Sequence, residues 1–432
     1  RHYHMAIGII PSIFFYLLLS TWIVYVCFLS DPSKSPTAHY VTQTLPKSCL
    51  SFIGKILGPK AVHVIERAAD KLLAILYLVI VLGSWSVVFT HCYSFIDRSK
   101  HVSSLHKYSG YVVFFVCIWS WHKARTTSPG FINERNIPRF DNYPYDGFLF
   151  VNENCRTLGI RKLPRSKYDR FTNKHVARFD HFCGFIDNTV GEENYRFFLL
   201  FLIIHVGMCI YGTYVIASLF WGEIQDRDLL NAIFFNGITG EEVKADTWIV
   251  GNYLFMKYFA LCAVLTLLSV MALVLGLFFA YHLYISACGM TTNEFFKWRQ
   301  VKKWHVKATS KYSEAQKKDT SNKNRKLDNM AKENAIQRLT DDVDVGCVGP
   351  LGGGEQKHDN KTEPECNSED DPGPFPTNIY HCGIIENFKE VIYPRSRRSD
   401  AIARFRASFN SDDSSASSKN TKNAVKIAPG KS

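Results

Sequence analysis

Long uncharged stretches alternate with short charged ones over the first two thirds of the chain, and the last third loses the apolar stretches. Five apolar segments stand out: about Ala6 to Leu29, with Pro11 inside; Leu72 to about His91; Tyr108 to Trp121, bounded by Lys107 and Lys123; Phe197 to Trp221; and about Tyr258 to Cys288. A bilayer core of about 30 Å needs roughly 20 apolar helical residues. Four segments meet that length, and the third does so when Lys107 reaches outward to the headgroups. Water-soluble core helices rarely run this far without a charge. The pattern therefore predicts an all-α integral membrane protein with about five transmembrane helices.

Charge sets the orientation. Residues 30–71 carry six Lys/Arg against three Asp/Glu, and residues 123–196 thirteen against nine, whereas residues 222–250 carry two against six. The positive-inside tendency puts the first two loops in the cytosol and the third in the lumen. The N-terminus is then lumenal and the C-terminal tail cytosolic. The first span is too long for the apolar region of a cleavable leader, so none is expected. The net charge of +12 comes mostly from residues flanking spans, which topology already explains, so no nucleic-acid partner is expected. Aromatic residues gather at the ends of the apolar runs, as at an interfacial belt. Twelve cysteines include no C-x-x-C pair, and Cys27, Cys117, Cys209 and Cys262 lie inside apolar runs, which argues against a disulfide framework.

The expected organisation is three N-terminal spans over 1–123 with a cytosolic loop at about 30–71, and a cytosolic irregular domain over 124–196. Two spans follow over 197–290 with a lumenal loop at about 222–250, then a helix end over 291–305. From about Lys307 the sequence turns to runs such as KKDTSNKNRK and NSEDDPGP, too polar to bury a core, so 306–377 and 395–432 are expected to be disordered. The island NIYHCGIIENFKEVIYP at 378–394 is compact and aromatic, and is expected to dock on the membrane domain.

Chemistry concentrates between the third and fourth segments, where Asp180, His181 and Cys183 fall within four residues just before a span. A carboxylate can orient an imidazole, an imidazole can take a thiol proton, and the thiolate is the nucleophile. The same cluster also fits a loop with an incidental cysteine.

Several elements together resemble the DHHC family of protein S-acyltransferases (palmitoyltransferases). KLPRSK at 162–167, RFDHFC at 178–183, and Asn188, Val190-Gly191 and Asn194-Tyr195 resemble its cysteine-rich domain. TTSPG at 126–130 is similar to its DPG element, with Ser128 in place of Asp; TTNE at 291–294 matches its TTxE element; and NIYHCGIIEN at 378–387 resembles its C-terminal motif. The layout is most similar to the subgroup that contains vertebrate DHHC member 4 and plant acyltransferase 17. The resemblance implies that Cys183 takes the acyl group, His181 is the general base and Asp180 holds His181. It further implies that Thr292 stands near Asp180, that Asn387 braces the helix ends, and that Lys162, Arg165 and Lys167 meet the coenzyme A phosphates. Gly184 and Phe185 stand where the family has Pro-Trp.

The departures are large. The family's domain holds two zinc ions, each on three Cys and one His. Here Cys155, Leu158, Tyr168 and His175 stand at the first set of positions, and Asp169, Thr172, Phe182 and Thr189 at the second. A structural zinc needs four N/S ligands, so no metal is expected, with Cys155 and His175 the only residual pair. The function implied is protein-cysteine S-palmitoylation by ping-pong exchange. Acyl-CoA is the substrate rather than a tightly bound cofactor, and membrane-associated proteins with cytosolic cysteines are the acceptors. The bilayer is the third partner. The family's setting implies endoplasmic reticulum or Golgi membranes with a cytosolic active site. The alternative is a catalytically weak or inactive membrane scaffold. A transporter would need more polar groups inside its spans than His205, His282 and a few hydroxyls.

Overall fold

The computed structural model describes residues 2–5, positions 40, 44, 48, 51 and 55, and residues 58–236, 240–340 and 371–408. The expected first span and most of the 30–71 loop lie outside the described residues. The described chain divides into two units, one of residues 1–292 with 382–432 and one of residues 293–381.

In the first unit, α1 (Pro59–Val87) opens behind Gly58, which has positive φ, and Pro59, suited to a first helical turn. It continues through a π turn (Val88–Cys92) into α2 (Tyr93–Ile96). The chain reverses into α3 (Leu105–Thr126) and crosses the region 127–194. It returns as α5 (Tyr195–Asp226), passes α6 (Thr247–Lys257) and ends the bundle with α7 (Phe259–Ala287). Three helical stretches among the described residues are long and apolar enough to cross a membrane: Lys71–Ile96, Tyr195–Asp226 and Phe259–Ala287. They enlarge the second and fourth expected segments by a few residues, and the fifth ends one residue short of its expected bounds on each side. The expected third is present as the 22-residue α3, about 33 Å at 1.5 Å per residue. Its composition, with Lys107, Lys123 and Arg125 in its end turns, keeps it out of that group. Lys107 pairs with Asp97 at 2.9 Å, which holds its ammonium in the turn before the helix. Packing is closest between α5 and α7 and between α3 and α5.

At one end of the bundle, β1 (His2–Met5) pairs in parallel with β7 (Ile233–Asn236), and β7 pairs with β8 (Glu242–Lys244). This three-stranded sheet, two strands of it from the 222–250 loop and one from the N-terminal residues, was not expected. Glu223 there gathers Lys257, Arg227 and the Tyr258 hydroxyl.

The irregular region sits at the opposite end. It contains β2 (Phe131–Ile132), α4 (Ile137–Phe140), β3 (Lys167–Asp169) and β4 (Lys174–Val176), ordered β2-β4-β3, then a hairpin of β5 (His181–Cys183) and β6 (Asn188–Val190). TTSPG is the thread that ties this region together. The carbonyls of Thr127, Pro129 and Gly130 accept hydrogen bonds from Asn188 and Asn194, from Glu193 N and from Ala177 N respectively. Gly191 is forced by that crossing: a Cβ there would stand 2.6 Å from Pro129 O and 2.6 Å from Val176 Cγ1.

The C-terminal island reaches the bundle through α9 (Ile384–Ile392), which packs on α7 and α5. A 3-10 turn (Arg395–Arg397) and a helical stretch at 399–408 follow, with Ser396 and Ala401 fully buried. Disorder expected from residue 395 is thus corrected for 395–408. The polar composition there hides three arginines that bond to the domain: Arg395 to Asn142 O at 3.1 Å, Arg397 to Glu193 at 3.9 Å, and Arg404 to Pro138 O at 3.3 Å.

The second unit is built on α8 (Thr292–Thr340), whose first residue belongs to the first unit. Its length corrects the disorder expected from residue 306. The helix has neither Gly nor Pro and is rich in Lys, Ala, Glu, Gln and Arg, so local propensity sustains it where burial does not. Trp298 and His305 flank Phe375, with ring centroids 5.9 and 5.4 Å away.

Candidate active site

The β5–β6 hairpin presents the site. Cys183 pairs with Asn188 across it, and His181 with Val190. Asn188 anchors the hairpin to the end of α3, its amide donating to Ala124 O, Arg125 O and Thr127 O at 2.9–3.2 Å. Those are carbonyls a helix end leaves without partners. Arg125 pairs with Asp187 at 2.8 Å, and Trp121 Nε1 donates to Phe185 O at 3.0 Å. Three residues, Asn188, Asp187 and Phe185, therefore fix the loop after Cys183 against the end of α3. Gly184 lies where a Cβ would meet Leu73 Cδ1 at 2.6 Å, so the hairpin presses closely on the first described span.

Asp180, His181 and Cys183 come together. Asp180 is buried, and its Oδ2 stands 2.6 Å from His181 Nδ1. Thr292 closes the other side: its amide donates to Asp180 Oδ1 at 2.7 Å and its hydroxyl to Oδ2 at 2.9 Å. Burial works against charge on Asp180, but the bonds from His181 and Thr292 win and hold its carboxyl below the usual range. Burial likewise opposes a charged His181, yet its hydrogen bonds to Asp180 and Cys183 raise it to about 10. The side chain of His181 stays about a quarter exposed, while Cys183 is buried among Trp121, Tyr195, Phe198 and Val391. A buried carboxylate thus holds an imidazole that keeps its proton, and the imidazole is bonded to the sulfur beside it.

Sequence reasoning missed the floor of this site. His282, fully buried in α7, stands 5.7 Å from the His181 ring between centroids, and its Nδ1 lies 3.0 Å from the Tyr195 hydroxyl, which also meets Ser286. A histidine in an otherwise apolar run was the available signal. Asn387 lies where the docked island was expected to brace a helix end: Nδ2 donates to Ala287 O at 2.8 Å, and Oδ1 accepts from Cys382 N.

The three basic residues separate. Lys162 is at the surface, paired with Glu153 at 2.5 Å, and Lys167 lies over the Phe179 ring at 4.9 Å. Arg165 is 1 % exposed. It donates to Gly289 O at 2.9 Å and stands 3.4 Å from Glu390, with its guanidinium over Tyr143. Lys162 and Lys167 thus lie nearer the surface, whereas Arg165 is buried. The cause is Glu390 on α9, which also meets Arg178, Arg395 and the Tyr143 hydroxyl. Both Arg165 and Arg178 adopt positive φ, 63° and 43°, an uncommon backbone for non-glycine residues. Glu390 draws both guanidiniums inward and offsets that strain.

The zinc positions of the resemblance do not fit zinc. At the second set, Asp169 Oδ2 accepts from Thr172 Oγ1 at 2.7 Å and Thr189 Oγ1 at 2.5 Å, and Phe182 stacks on Phe171 at 4.2 Å. Hydroxyls and a phenyl ring offer no tetrahedral N/S set. Instead a buried carboxylate bonds to the other two polar positions. At the first set, Cys155 and His175 are buried, and Tyr168 turns its hydroxyl to Asn173. His175 Nε2 has no hydrogen-bond partner.

Comparison with known proteins agrees with the geometry. Residues 151–299 match the DHHC palmitoyltransferase family. The chain is 30 % identical over 267 residues to palmitoyltransferase SWF1 of Yarrowia lipolytica, covering 58 % of this chain and 63 % of that protein. It is 27 % identical over 208 residues to palmitoyltransferase ZDHHC4 of Mus musculus, covering 47 % and 60 %. It is 26 % identical over 261 residues to palmitoyltransferase ZDHHC17 of Homo sapiens, covering 53 % and 39 %. The chain thus spans about three fifths of the length of the first two relatives.

Proposed function

We propose, from the match of residues 151–299 to the DHHC palmitoyltransferase family, that the chain is a protein-cysteine S-palmitoyltransferase with Cys183 as the acylated nucleophile. The observation that carries this is Asp180, buried and held by Thr292, fixing His181 in contact with Cys183. The Cys183 thiolate attacks the acyl-CoA carbonyl, the C–S bond to coenzyme A breaks, and His181 gives its proton to the departing sulfur. In the second half, neutral His181 takes the proton of a protein thiol. That sulfur attacks the acyl-enzyme, and Cys183 leaves as thiolate. The ion pair is restored, and exchange proceeds by two covalent steps.

The site lies at the end of the bundle, where a fatty chain can enter the bilayer and a charged coenzyme A can stay in water. Each buried methylene contributes about 0.8 kcal/mol. Lys162 and Lys167 are the cations left at the surface for the phosphates. Acceptors are membrane-associated proteins with cysteines on the cytosolic face, in endoplasmic reticulum or Golgi membranes. The domain holds its shape without zinc, through the Asp169 cluster. The test is incubation of the purified full chain with labelled palmitoyl-CoA. Label that forms a thioester and vanishes in Cys183→Ser is the expected result. A wild-type chain that stays unlabelled is instead an inert scaffold, the reading that the lost zinc ligands would favour.

A further inference from the structure

His282 is the feature the reaction above does not use. It lies in an apolar span with no exposure, its Nδ1 faces Tyr195, and its Nε2 has no hydrogen-bond partner. A buried polar atom without a partner is destabilising, so its place beside the catalytic pair asks for a role. Asp180, His181 and His282 each offer one ligand atom, and these atoms all lie within 4.8 Å of one another. Among the described residues this is the one group of three such side chains placed to hold a metal ion.

We propose that Asp180, His181 and His282 form a binding site for a divalent transition metal of the zinc type, and that its occupation silences acyl loading of Cys183. The inference rests on Cys183 being the acylated nucleophile. Two imidazoles and one carboxylate with an open fourth position match the donor set of zinc. Magnesium and calcium favour all-oxygen sites and fit poorly. Ligand atoms on a tetrahedral zinc stand about 3.3 Å apart, so small side-chain rotations close the cluster. Cys183 is bonded to His181, so a metal held by that imidazole sits beside the nucleophile while its fourth position stays open to water. The metal takes a ring nitrogen of His181 and releases its proton to solvent. It also draws Asp180 away from that ring, so the imidazole no longer exchanges protons with a thiol. Zinc bound here is distinct from zinc at the family's structural positions, whose ligands this chain lacks.

The test uses the full chain in detergent, stripped with a chelator. Zinc affinity is measured by competition with a chromophoric chelator, without acyl-CoA, for wild type, His282→Gln and Cys155→Ser. Cys155→Ser controls for the residual Cys155–His175 pair. The expected result is one zinc per chain, bound at least tenfold more weakly in His282→Gln and unchanged in Cys155→Ser. Zinc should suppress labelling of Cys183, chelator should restore it, and magnesium should do neither. The half-inhibiting zinc concentration should rise at least tenfold in His282→Gln. Equal affinity in His282→Gln, or bound zinc with undiminished labelling, overturns the proposal. If that variant does not fold, cobalt(II) in the unaltered chain decides the matter. Strong visible absorption of a four-coordinate site is expected, and the weak absorption of a six-coordinate ion overturns the site. An absence of labelling in stripped wild type overturns the acyltransferase reading and the silencing with it, while the affinity comparison still decides the site.

Discussion

Thr292 grips Asp180 from 112 positions away in sequence, its amide on one carboxylate oxygen at 2.7 Å and its hydroxyl on the other at 2.9 Å. The last span therefore sets the orientation of an imidazole carried by a hairpin before the preceding span. The two grips can be separated. Thr292→Val keeps the amide bond and the shape but deletes the hydroxyl. A hydrogen bond to a charged group contributes about 1.5–3 kcal/mol, and only part of that reaches the reaction. The initial rate of Cys183 labelling should fall about tenfold, with the unfolding midpoint little changed. A wild-type rate in Thr292→Val would show that the amide alone suffices.

The charge on His181 predicts a pH response with a definite sign. Its folded-state pKa is raised to about 10, above the ordinary value of 6.5. The stabilisation it provides is therefore complete below about pH 6.5 and fades as pH rises through 10. A plot of unfolding midpoint against pH should decline across that window, and His181→Ala should flatten the decline. A variant that retains the same slope would assign the loss to other groups.

Glu390 behaves in the opposite sense. Burial raises its pKa, but Arg178, Arg165, Tyr143 and Arg395 prevail and bring it to about 2 from 4.5. Its stabilisation is present above about pH 4.5 and is lost as pH falls through 2. Glu390→Gln leaves buried arginines without their counter-charge, a loss of about 3–5 kcal/mol by comparison with broken buried pairs. Denaturant unfolding at neutral pH should show that loss, and the variant's stability should change less between pH 4.5 and 2. The docked helix α9 should become the first protease-sensitive segment.

What the sequence made legible follows from the range of the interactions. Apolar runs announce spans because the bilayer acts on each helix alone, and Asp180, His181 and Cys183 are close in the chain as well as in space. The burial of Arg165 could not be read locally because its partner, Glu390, is 225 positions away. The polar composition of 395–408 hides its order for the same reason. The Asp169–Thr172–Thr189 cluster is visible in sequence only as missing cysteines. That these residues bond to one another depends on Thr189 arriving on β6. The helix through 340 was missed by weighing burial over propensity.

Two glycines near the site should tolerate a methyl group very differently. At Gly191 the added Cβ meets a backbone carbonyl, Pro129 O, at 2.6 Å, whereas at Gly184 it meets the tip of Leu73. Leu73 is 37 % exposed and free to swing. Gly191→Ala should destabilise by about 1–3 kcal/mol, the usual cost of overpacking, and Gly184→Ala by less than about 0.5 kcal/mol. Thermal unfolding of both in detergent measures the contrast, and equal losses would contradict the close crossing at Pro129.

The Asp169 cluster makes the strongest claim on the domain as a whole. Three positions where the family has zinc ligands bond through one buried carboxylate oxygen, with both threonine hydroxyls donating to it. If this cluster holds the β3–β4 turn to the β5–β6 hairpin, the domain should stay folded in the metal-stripped chain, and zinc loss should leave the β3–β4 turn ordered. Thr189→Val should lower stability by about 1–3 kcal/mol, because the carboxylate loses a buried donor. Asp169→Ala should cost at least as much, since it strands both hydroxyls. The converse experiment is to install Cys, Cys, His and Cys at Asp169, Thr172, Phe182 and Thr189 together. Geometry inherited from the same fold should then let the chain take up one further zinc at these positions. A wild-type domain that unfolds on chelation would instead mean that metal supports it through ligands other than these four.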